Sequence, residues 1–205
     1  MKKDLLKIFN FLHAVENFKS TLRVPKTKTG RQESSAEHSW RVSLMVFIIA
    51  EELNLDIDIF KAIKLAIVHD LAECITGDYP SHYVYYNKGL KLEKERKEKK
   101  AMKSLMKMLP EKSGKVVYNL WNEYEEQKTK EAKYIKALER IETLTQFIET
   151  NPVTYEAVEY TAIYADKSVE KFPELKGMLS IIKEELKKAY TEAGIPWKEE
   201  YKFKK

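Results

Sequence analysis

The sequence predicts an all-α, single-domain helical bundle of about eight helices. Apolar residues recur at steps of three and four through most of the chain, which is typical of amphipathic helices. Six glycines and six prolines among 205 residues leave little material for many turns, so long helices are favoured. We find no internal repeat and no β-alternation of consequence. This length suits one core, so we treat residues 1–205 as one domain.

Composition narrows the classes of partner. The net charge of +5 comes from 37 basic and 32 acidic residues that are interspersed, which argues against a module that binds duplex nucleic acid. The single cysteine excludes an internal disulfide framework and fits a reducing compartment. The amino-terminal stretch carries acids and a histidine, unlike a signal peptide, and no apolar run approaches the ~20 residues of a membrane helix. We therefore expect a cytoplasmic protein without a membrane partner.

The first elements are an amphipathic helix over residues 4–19 and a polar loop over residues 20–35. The loop contains Pro25, Gly30 and several basic residues, among them Arg23. These cations could face an anion, or the loop could simply be solvated; the spacing favours neither.

The next two helices are the most apolar. We expect the first over residues 35–53 and the second over residues 57–75. Because both are apolar on nearly every face, they should lie centrally, with Trp40, Phe60 and Ile67 packed inward. Five further helices are predicted over residues 90–108, 114–127, 130–148, 154–167 and 173–193.

The second apolar helix ends in the stretch IVHDLAECITGDYP, residues 67–80. Four ionisable residues stand within ten positions there: His69, Asp70, Glu73 and Asp78. On a helix, side chains three and four apart share one flank. Gly77 lets the chain turn and present the last carboxylate nearby.

A second histidine, His38, lies in the run ESSAEHSWR at the start of the other apolar helix. A lone histidine on a buried helix is more often a satisfied core residue than a metal ligand. Two histidines with an aspartate next to one of them favour a metal site. Imidazoles with carboxylates suit a divalent transition ion that keeps open positions for water and a substrate oxygen.

The order and spacing of these motifs resemble the HD superfamily of metal-dependent phosphohydrolases, named for its adjacent His-Asp pair, and in particular its 5'-deoxynucleotidase branch. The matching segments are Arg31 with ESSAEHSWR, then HDLAECITGD from residue 69 to 78, then KALERIE from residue 136 to 142. They extend over roughly the first seventy per cent of the chain. The resemblance implies a bundle of the HD-domain type, with the motifs in a core of about residues 20–150 and the C-terminal helices packed on it.

The resemblance also implies a metal site. It assigns His38, His69 and Asp70 as ligands of one divalent transition metal, with Mn, Co, Zn, Fe and Ni not distinguished. The fourth ligand of the family is an aspartate in a segment resembling KALDKIE, and that position is Glu139 here. Since glutamate is one methylene longer, the helix should lie farther back, or the carboxylate should bind differently, or the metal should be held less tightly.

Catalytic roles follow from the same resemblance. Arg23 matches the phosphate-binding arginine, and Glu73 and Asp78 match the catalytic acids. One of the two carboxyl groups would handle the proton of the attacking water and the other would protonate the leaving 5'-oxygen, in either order. From spacing alone, an ion pair between Glu73 and a loop cation is equally consistent. Val24 stands where the branch has a tryptophan that shapes the sugar pocket, which weakens the case for rejecting a ribose 2'-hydroxyl.

The function expected from these residues is the release of phosphate from nucleoside 5'-monophosphates, deoxy forms in particular. The resemblance also implies a homodimer. An HD hydrolase of nucleoside triphosphates or cyclic nucleotides, and a non-catalytic nucleotide-binding HD protein, are the alternatives. The GD that follows HDLAECIT and the short chain favour the monophosphatase, and the presence of Glu73 and Asp78 speaks against the non-catalytic protein. The tyrosine-rich segment 81–89 could stack on a base or ribose, or cover the rim of the site; we favour the second.

Overall fold

The computed structural model describes residues 1–150 and 157–203, and most of them are helical. The helices are α1 Lys2–Val15, α2 Ser35–Glu52, α3 Ile59–Val68, α4 Glu73–Thr76, α5 Ser81–Tyr86, α6 Lys88–Lys107, α7 Glu111–Glu126, α8 Lys130–Glu149, α9 Val158–Ile163, α10 Asp166–Glu170 and α11 Lys176–Glu192. A 3-10 turn, Glu16–Ser20, follows α1. The predicted all-α class is confirmed.

Helix α8 is the centre of the bundle, because it buries side chains on nearly every face. Its apolar residues pack against α2 and α3 on one side and against α11 on another. The largest cluster of buried side chains includes Val46, Leu65, Leu138, Ile141 and Leu179. This packing fixes the distance between α2, α3 and α8, the three segments that carry the sequence motifs.

The start of α2 is fixed by a capping box. The backbone N–H of Glu37 donates to Ser34 Oγ at 3.2 Å, and Ser34 N–H donates to the Glu37 carboxylate at 2.9 Å. These bonds satisfy amide groups that a helix start leaves unpaired. Because the cap sets the first turn of α2, it also sets the direction of His38 one residue later.

The segment predicted as a loop, residues 20–35, contains a hairpin, and the loop prediction is wrong there. Strands β1, Leu22–Lys26, and β2, Gln32–Ser34, pair antiparallel with an irregularity in the register. Gly30 adopts a positive φ of 87° in the connecting turn, a conformation that glycine tolerates best. Strands this short leave almost no alternation in the sequence to detect.

Two predicted helical boundaries also change. The helix expected over residues 57–75 is interrupted: α3 ends at Val68, and α4 begins only at Glu73. The tyrosine-rich segment 81–89, for which no helix was predicted, contains α5. The helix expected over residues 154–167 begins outside the described residues, and its remainder is divided between α9 and α10.

The expected inward packing of Trp40, Phe60 and Ile67 is wrong. Their exposed fractions are 66%, 71% and 54%. Helix α8 covers only one face of each neighbour, the face that carries Val42 and Val46 on α2, so the opposite faces stay uncovered. Within the described residues, no helix combines the length and the apolar character that a bilayer crossing requires.

Candidate active site

Three donor atoms converge where the ends of α2 and α3 meet. His69 Nε2 lies 3.0 Å from Asp70 Oδ2 and 3.4 Å from His38 Nε2, and His38 Nε2 lies 3.8 Å from Asp70 Oδ2. Both imidazoles are buried, whereas the Asp70 side chain is 18% exposed. The cluster therefore has one side that solvent or a ligand can reach.

Each imidazole is oriented by the nitrogen that faces away from the cluster. His69 Nδ1 lies 2.7 Å from the Ala66 carbonyl oxygen, and His38 Nδ1 lies 2.5 Å from Glu142 Oε2. Since a carbonyl and a carboxylate accept hydrogen bonds, each Nδ1 acts as the donor and both Nε2 atoms face the cluster. Although burial acts in the other direction, Asp70 raises the pKa of His69, so a metal that bound there would displace a proton from Nε2. Metal-binding histidines are commonly held by such partners.

These donors fit a small divalent ion. For metal–ligand bonds of about 2.0–2.2 Å, neighbouring ligands are about 3 to 3.5 Å apart, close to the separations in this cluster. Burial and the charge of Arg23 keep the pKa of His38 well below its ordinary value, so this ring is neutral as a ligand must be. Burial of Asp70 would raise its pKa, but the neighbouring His69, Arg23 and His38 hold the pKa of Asp70 well below the usual range. Asp70 is therefore a carboxylate.

Arg23 reaches the same cluster from strand β1. Its Nη1 lies 3.3 Å from Asp70 Oδ2, its Nη2 donates to Thr143 Oγ1 at 3.1 Å, and its Nε lies 3.4 Å from Glu33 Oε2. Burial would lower the pKa of Arg23, but the surrounding carboxylates, Asp78 first among them, raise it above the ordinary value. The site thus contains a permanent cation in a fixed orientation.

Glu73 and Asp78 lie beside Arg23 and share a hydrogen bond. Ser35 Oγ donates to Glu73 Oε2 at 2.7 Å, and Gly77 turns the chain between the two carboxyl groups with a positive φ of 72°. Burial, then the charges of Asp70 and Asp78, raise the pKa of Glu73 well above its ordinary value, and burial raises that of Asp78. Two hydrogen-bonded carboxyl groups with raised pKa values are able to share a proton, an arrangement suited to acid–base chemistry.

Glu139 lies in the same cavity but has other partners. Its Oε1 lies 2.9 Å from Lys136 Nζ and 3.5 Å from the Tyr124 hydroxyl, and it is not among the donors that cluster within 4.8 Å of one another. Although burial acts in the other direction, Lys136 and Arg140 lower the pKa of Glu139 to about 2. Its role as the fourth ligand stays a prediction.

Two buried carboxyl groups, those of Glu33 and Glu142, lie behind the cluster, and the sequence analysis assigned no role to either. Glu33, His38 and Glu142 form a second group of closely spaced donors, all buried. Burial raises the pKa of Glu33 and of Glu142 to about 7. Glu142 could have been suspected from its place beside a core face, one turn after Glu139, whereas nothing in the sequence pointed to Glu33.

The site opens into a cavity of about 810 Å³, whereas His38, His69, Glu33 and Glu142 lie behind its lining. Arg23, Asp70, Glu73, Asp78 and Glu139 line one part of it, which we call the floor. Tyrosines from α5 and from the region of α9 line another part. A cavity of this size accommodates a small organic molecule, considerably larger than a phosphate ion.

A family model described as HD domain matches residues 15–176 of the chain. Human 5'-deoxynucleotidase HDDC2 is 38% identical over 77 residues, which cover 35% of this chain and 34% of the relative. A 5'-deoxynucleotidase of Shewanella oneidensis is 33% identical over 78 residues, 36% of this chain and 40% of the relative. The matches therefore span little more than a third of these curated relatives.

Solved structures are similar over nearly the whole chain. A protein of Magnetospirillum magnetotacticum described as a predicted metal-dependent phosphohydrolase superposes with a TM-score of 0.79 and 26% identity, covering 94% of this chain and 96% of the other. An HD-domain phosphohydrolase of Listeria innocua superposes with a TM-score of 0.64 over 92% and 91% of the two chains. At 18% identity, the second likeness concerns the fold alone.

Proposed function

We propose, from the premise that this chain belongs to the HD domain family, that it is a metal-dependent phosphomonoesterase of nucleoside 5'-monophosphates, deoxy forms included. One observation carries the proposal. Asp70, which belongs to the donor cluster with His38 and His69, lines one cavity together with Arg23 and the hydrogen-bonded pair Glu73 and Asp78. A phosphoryl-transfer site needs these three functions close together.

The proposed metal ligands are His38, His69 and Asp70, with Glu139 as the candidate for the fourth place. When bound, a divalent ion supplies Lewis-acid chemistry, since it makes water more acidic and polarises a phosphoryl oxygen. The protein contributes the orientation, because both Nε2 atoms and one Asp70 oxygen already face a common point.

Arg23 would bind the phosphoryl oxygens. Asp70, Thr143 and Glu33 fix the plane of its guanidinium, and the remaining N–H groups are free to donate to equatorial oxygens as negative charge gathers there. A group held by three partners needs little reorganisation at the moment of reaction.

Glu73 and Asp78 would move the protons. The ionised member takes a proton from the attacking water while the water oxygen forms its bond to phosphorus. As the bond between phosphorus and the 5'-oxygen breaks, the neutral member gives its proton to that oxygen. Their shared hydrogen bond and raised pKa values support this division, in either assignment of the two residues.

The test is the release of inorganic phosphate from ribo- and deoxyribonucleoside 5'-monophosphates after chelation and addition of Mn, Co, Zn or Mg. A nucleoside triphosphate and a cyclic nucleotide belong in the same panel. We expect phosphate from the monophosphates with at least one transition ion and none after chelation. If only the triphosphate or the cyclic nucleotide were hydrolysed, the protein would be an HD hydrolase of that other substrate class and the proposal would be wrong.

We also infer a homodimer, formed through the uncovered faces of α2 and α3. Trp40 and Ile48 of α2 and Phe60 and Ile67 of α3 are each more than half exposed. Large apolar side chains concentrated on two adjoining helices are typical of an interaction surface, and a second copy offers the same surface. Light scattering after gel filtration should give twice the chain mass, and Trp40→Glu should give the chain mass alone.

The proposed compartment is the cytoplasm. Cys74 has a free thiol that is buried, and burial raises its pKa to about 11. Such a thiol reacts poorly with oxidants, and a chain with one cysteine has no internal disulfide to form. These properties suit a reducing compartment.

A further inference from the structure

Three tyrosines form one wall of the cavity, which we call the tyrosine wall: Tyr85 of α5, Tyr160 of α9, and Tyr164 directly after α9. The centroids of the Tyr85 and Tyr160 rings are 4.9 Å apart, and those of Tyr160 and Tyr164 are 5.2 Å apart. All three rings line the cavity. The Tyr160 hydroxyl is hydrogen-bonded to Ser81, which connects α9 to the start of α5. Residues 75 positions apart in the chain thus build one aromatic surface.

A cation with an unused donor borders this wall. The guanidinium carbon of Arg140 lies 4.7 Å from the centroid of the Tyr164 ring, and its Nη1 donates to the Tyr164 carbonyl oxygen at 2.7 Å. Its Nε is buried and has no hydrogen-bond partner among the described residues. The nearest carboxylate oxygen, Glu139 Oε1, is 3.7 Å away. Buried donors without a partner are rare in proteins, so a partner supplied by a ligand is a natural explanation.

The tyrosine wall and the floor line the same cavity and are joined through neighbouring residues of α8. Arg140 follows Glu139 in α8, and both residues line the cavity together with Arg23 and Asp70. A phosphate group on the floor would fill only a small part of the 810 Å³. The remaining space is bounded by aromatic rings and by a guanidinium with a donor to offer. A flat heterocycle that carries ring nitrogens or carbonyl oxygens complements both features.

We propose that the tyrosine wall and Arg140 form the subsite for the nucleobase of the substrate. This rests on the proposed function and deepens it by naming the residues that would hold the base. Stacking tolerates every base, and each base presents an acceptor to Arg140. The wall therefore separates nucleotides from base-free sugar phosphates more strongly than it separates one base from another.

The experiment compares kcat/KM for 2'-deoxyadenosine 5'-monophosphate and for 2-deoxyribose 5-phosphate, which lacks the base. The variant is Tyr85→Ala, because this ring is 49% exposed and its removal leaves the core intact. We expect the ratio of the two values to fall about tenfold, the effect expected on losing one stacking ring. Phe9→Ala is the control, since Phe9 is an aromatic residue of α1 that is 56% exposed and does not line the cavity; its ratio should equal that of the natural protein.

A second measurement separates this proposal from the proposed function. Deoxyadenosine, which has no phosphate, is titrated calorimetrically into the natural protein and into Tyr85→Ala, and we expect binding that weakens about tenfold in the variant. Phosphate release from nucleotides with a ratio unaffected by Tyr85→Ala would overturn the base subsite and leave the proposed function intact. Binding of deoxyadenosine that depends on Tyr85, without phosphate release from any monophosphate, would overturn the proposed function and support the subsite. If the protein neither bound deoxyadenosine nor released phosphate from a monophosphate, the base subsite and the proposed function would both be wrong.

Discussion

The floor of the cavity and the tyrosine wall are built in different ways. On the floor, Arg23 has three polar partners, and behind the floor His38 is completely buried against Glu142, so both side chains are held in one orientation. The wall stands on α5 and α9, two helices of six residues each, and the Tyr85 ring is half exposed. Groups that stabilise developing charge must be prearranged, whereas a stacking surface works with modest precision. We therefore expect changes on the floor to abolish turnover and changes on the wall to alter selectivity.

The largest effect is expected from Asp70→Ala. This change removes the carboxylate that lies 3.0 Å from His69 Nε2 and leaves two imidazoles as the remaining members of the donor cluster. Metal content, measured by plasma mass spectrometry, and phosphate release should both disappear. The control is Asp56→Ala, because the Asp56 side chain is fully exposed and pairs only with Lys130 among the described residues. Turnover that persists in Asp70→Ala would remove the metal mechanism.

The next effect in size is expected from Glu73→Gln. An amide keeps the shape of the side chain and can still accept the hydrogen bond from Ser35, but it no longer gains or loses a proton. We expect metal content to stay unchanged while kcat falls by about 10²- to 10⁴-fold, the range typical of general acid–base groups. A parallel fall of metal and rate would instead identify Glu73 as a ligand or a structural residue.

A smaller effect is expected from Glu139→Asp, the residue that the family resemblance favours at this position. The shorter stem withdraws the carboxylate from Lys136, its partner at 2.9 Å, and makes it available to the metal cluster. Metal affinity, measured by competition with a chelator, should equal or exceed that of the natural protein. Glu139→Gln provides the comparison without a charge. A clear loss of affinity in Glu139→Asp would mean that the local backbone has adapted to glutamate.

The smallest effect concerns stability of the metal-free protein. Burial and the neighbouring Glu142 raise the pKa of Glu33 from 4.5 to about 7, so between these values the folded protein holds a proton that the unfolded chain has lost. The free energy of unfolding therefore falls as pH rises from about 5 to about 7, by at most about 1.4 kcal/mol per pH unit for one proton. Urea unfolding at pH 5, 6 and 7 should give a weaker dependence for Glu33→Gln. Equal dependence in both proteins would contradict the raised pKa.

Much of the site was accessible from the sequence because its motifs are local. His69, Asp70, Glu73 and Asp78 stand within ten residues, so a single turn of chain brings their side chains to one place. The predicted start of the first apolar helix at residue 35 agrees with the start of α2, which placed His38 in its first turn. The family resemblance then indicated which distant segment should face these residues.

The errors have a common physical origin. Trp40, Phe60 and Ile67 belong to helices that carry apolar residues on more than one face, so periodicity alone did not reveal which face α8 would cover. The hairpin β1–β2 was missed because three to five residues are too few to establish an alternation. Helix α3 stops at Val68, where the pattern alone would have continued it to residue 75.

The sequence by itself determined the helical class, the segments that carry the chemistry and the types of residue that could bind a metal and move a proton. These depend on local propensity and short spacing, which a linear chain displays directly. Only the tertiary structure decided that Glu33 and Glu142 lie behind His38, that Lys136 pairs with Glu139, and that Tyr85 meets Tyr160. Such contacts depend on how far apart helices pack and which way each side chain points, and many nearly equal combinations are compatible with the same pattern until the core selects one.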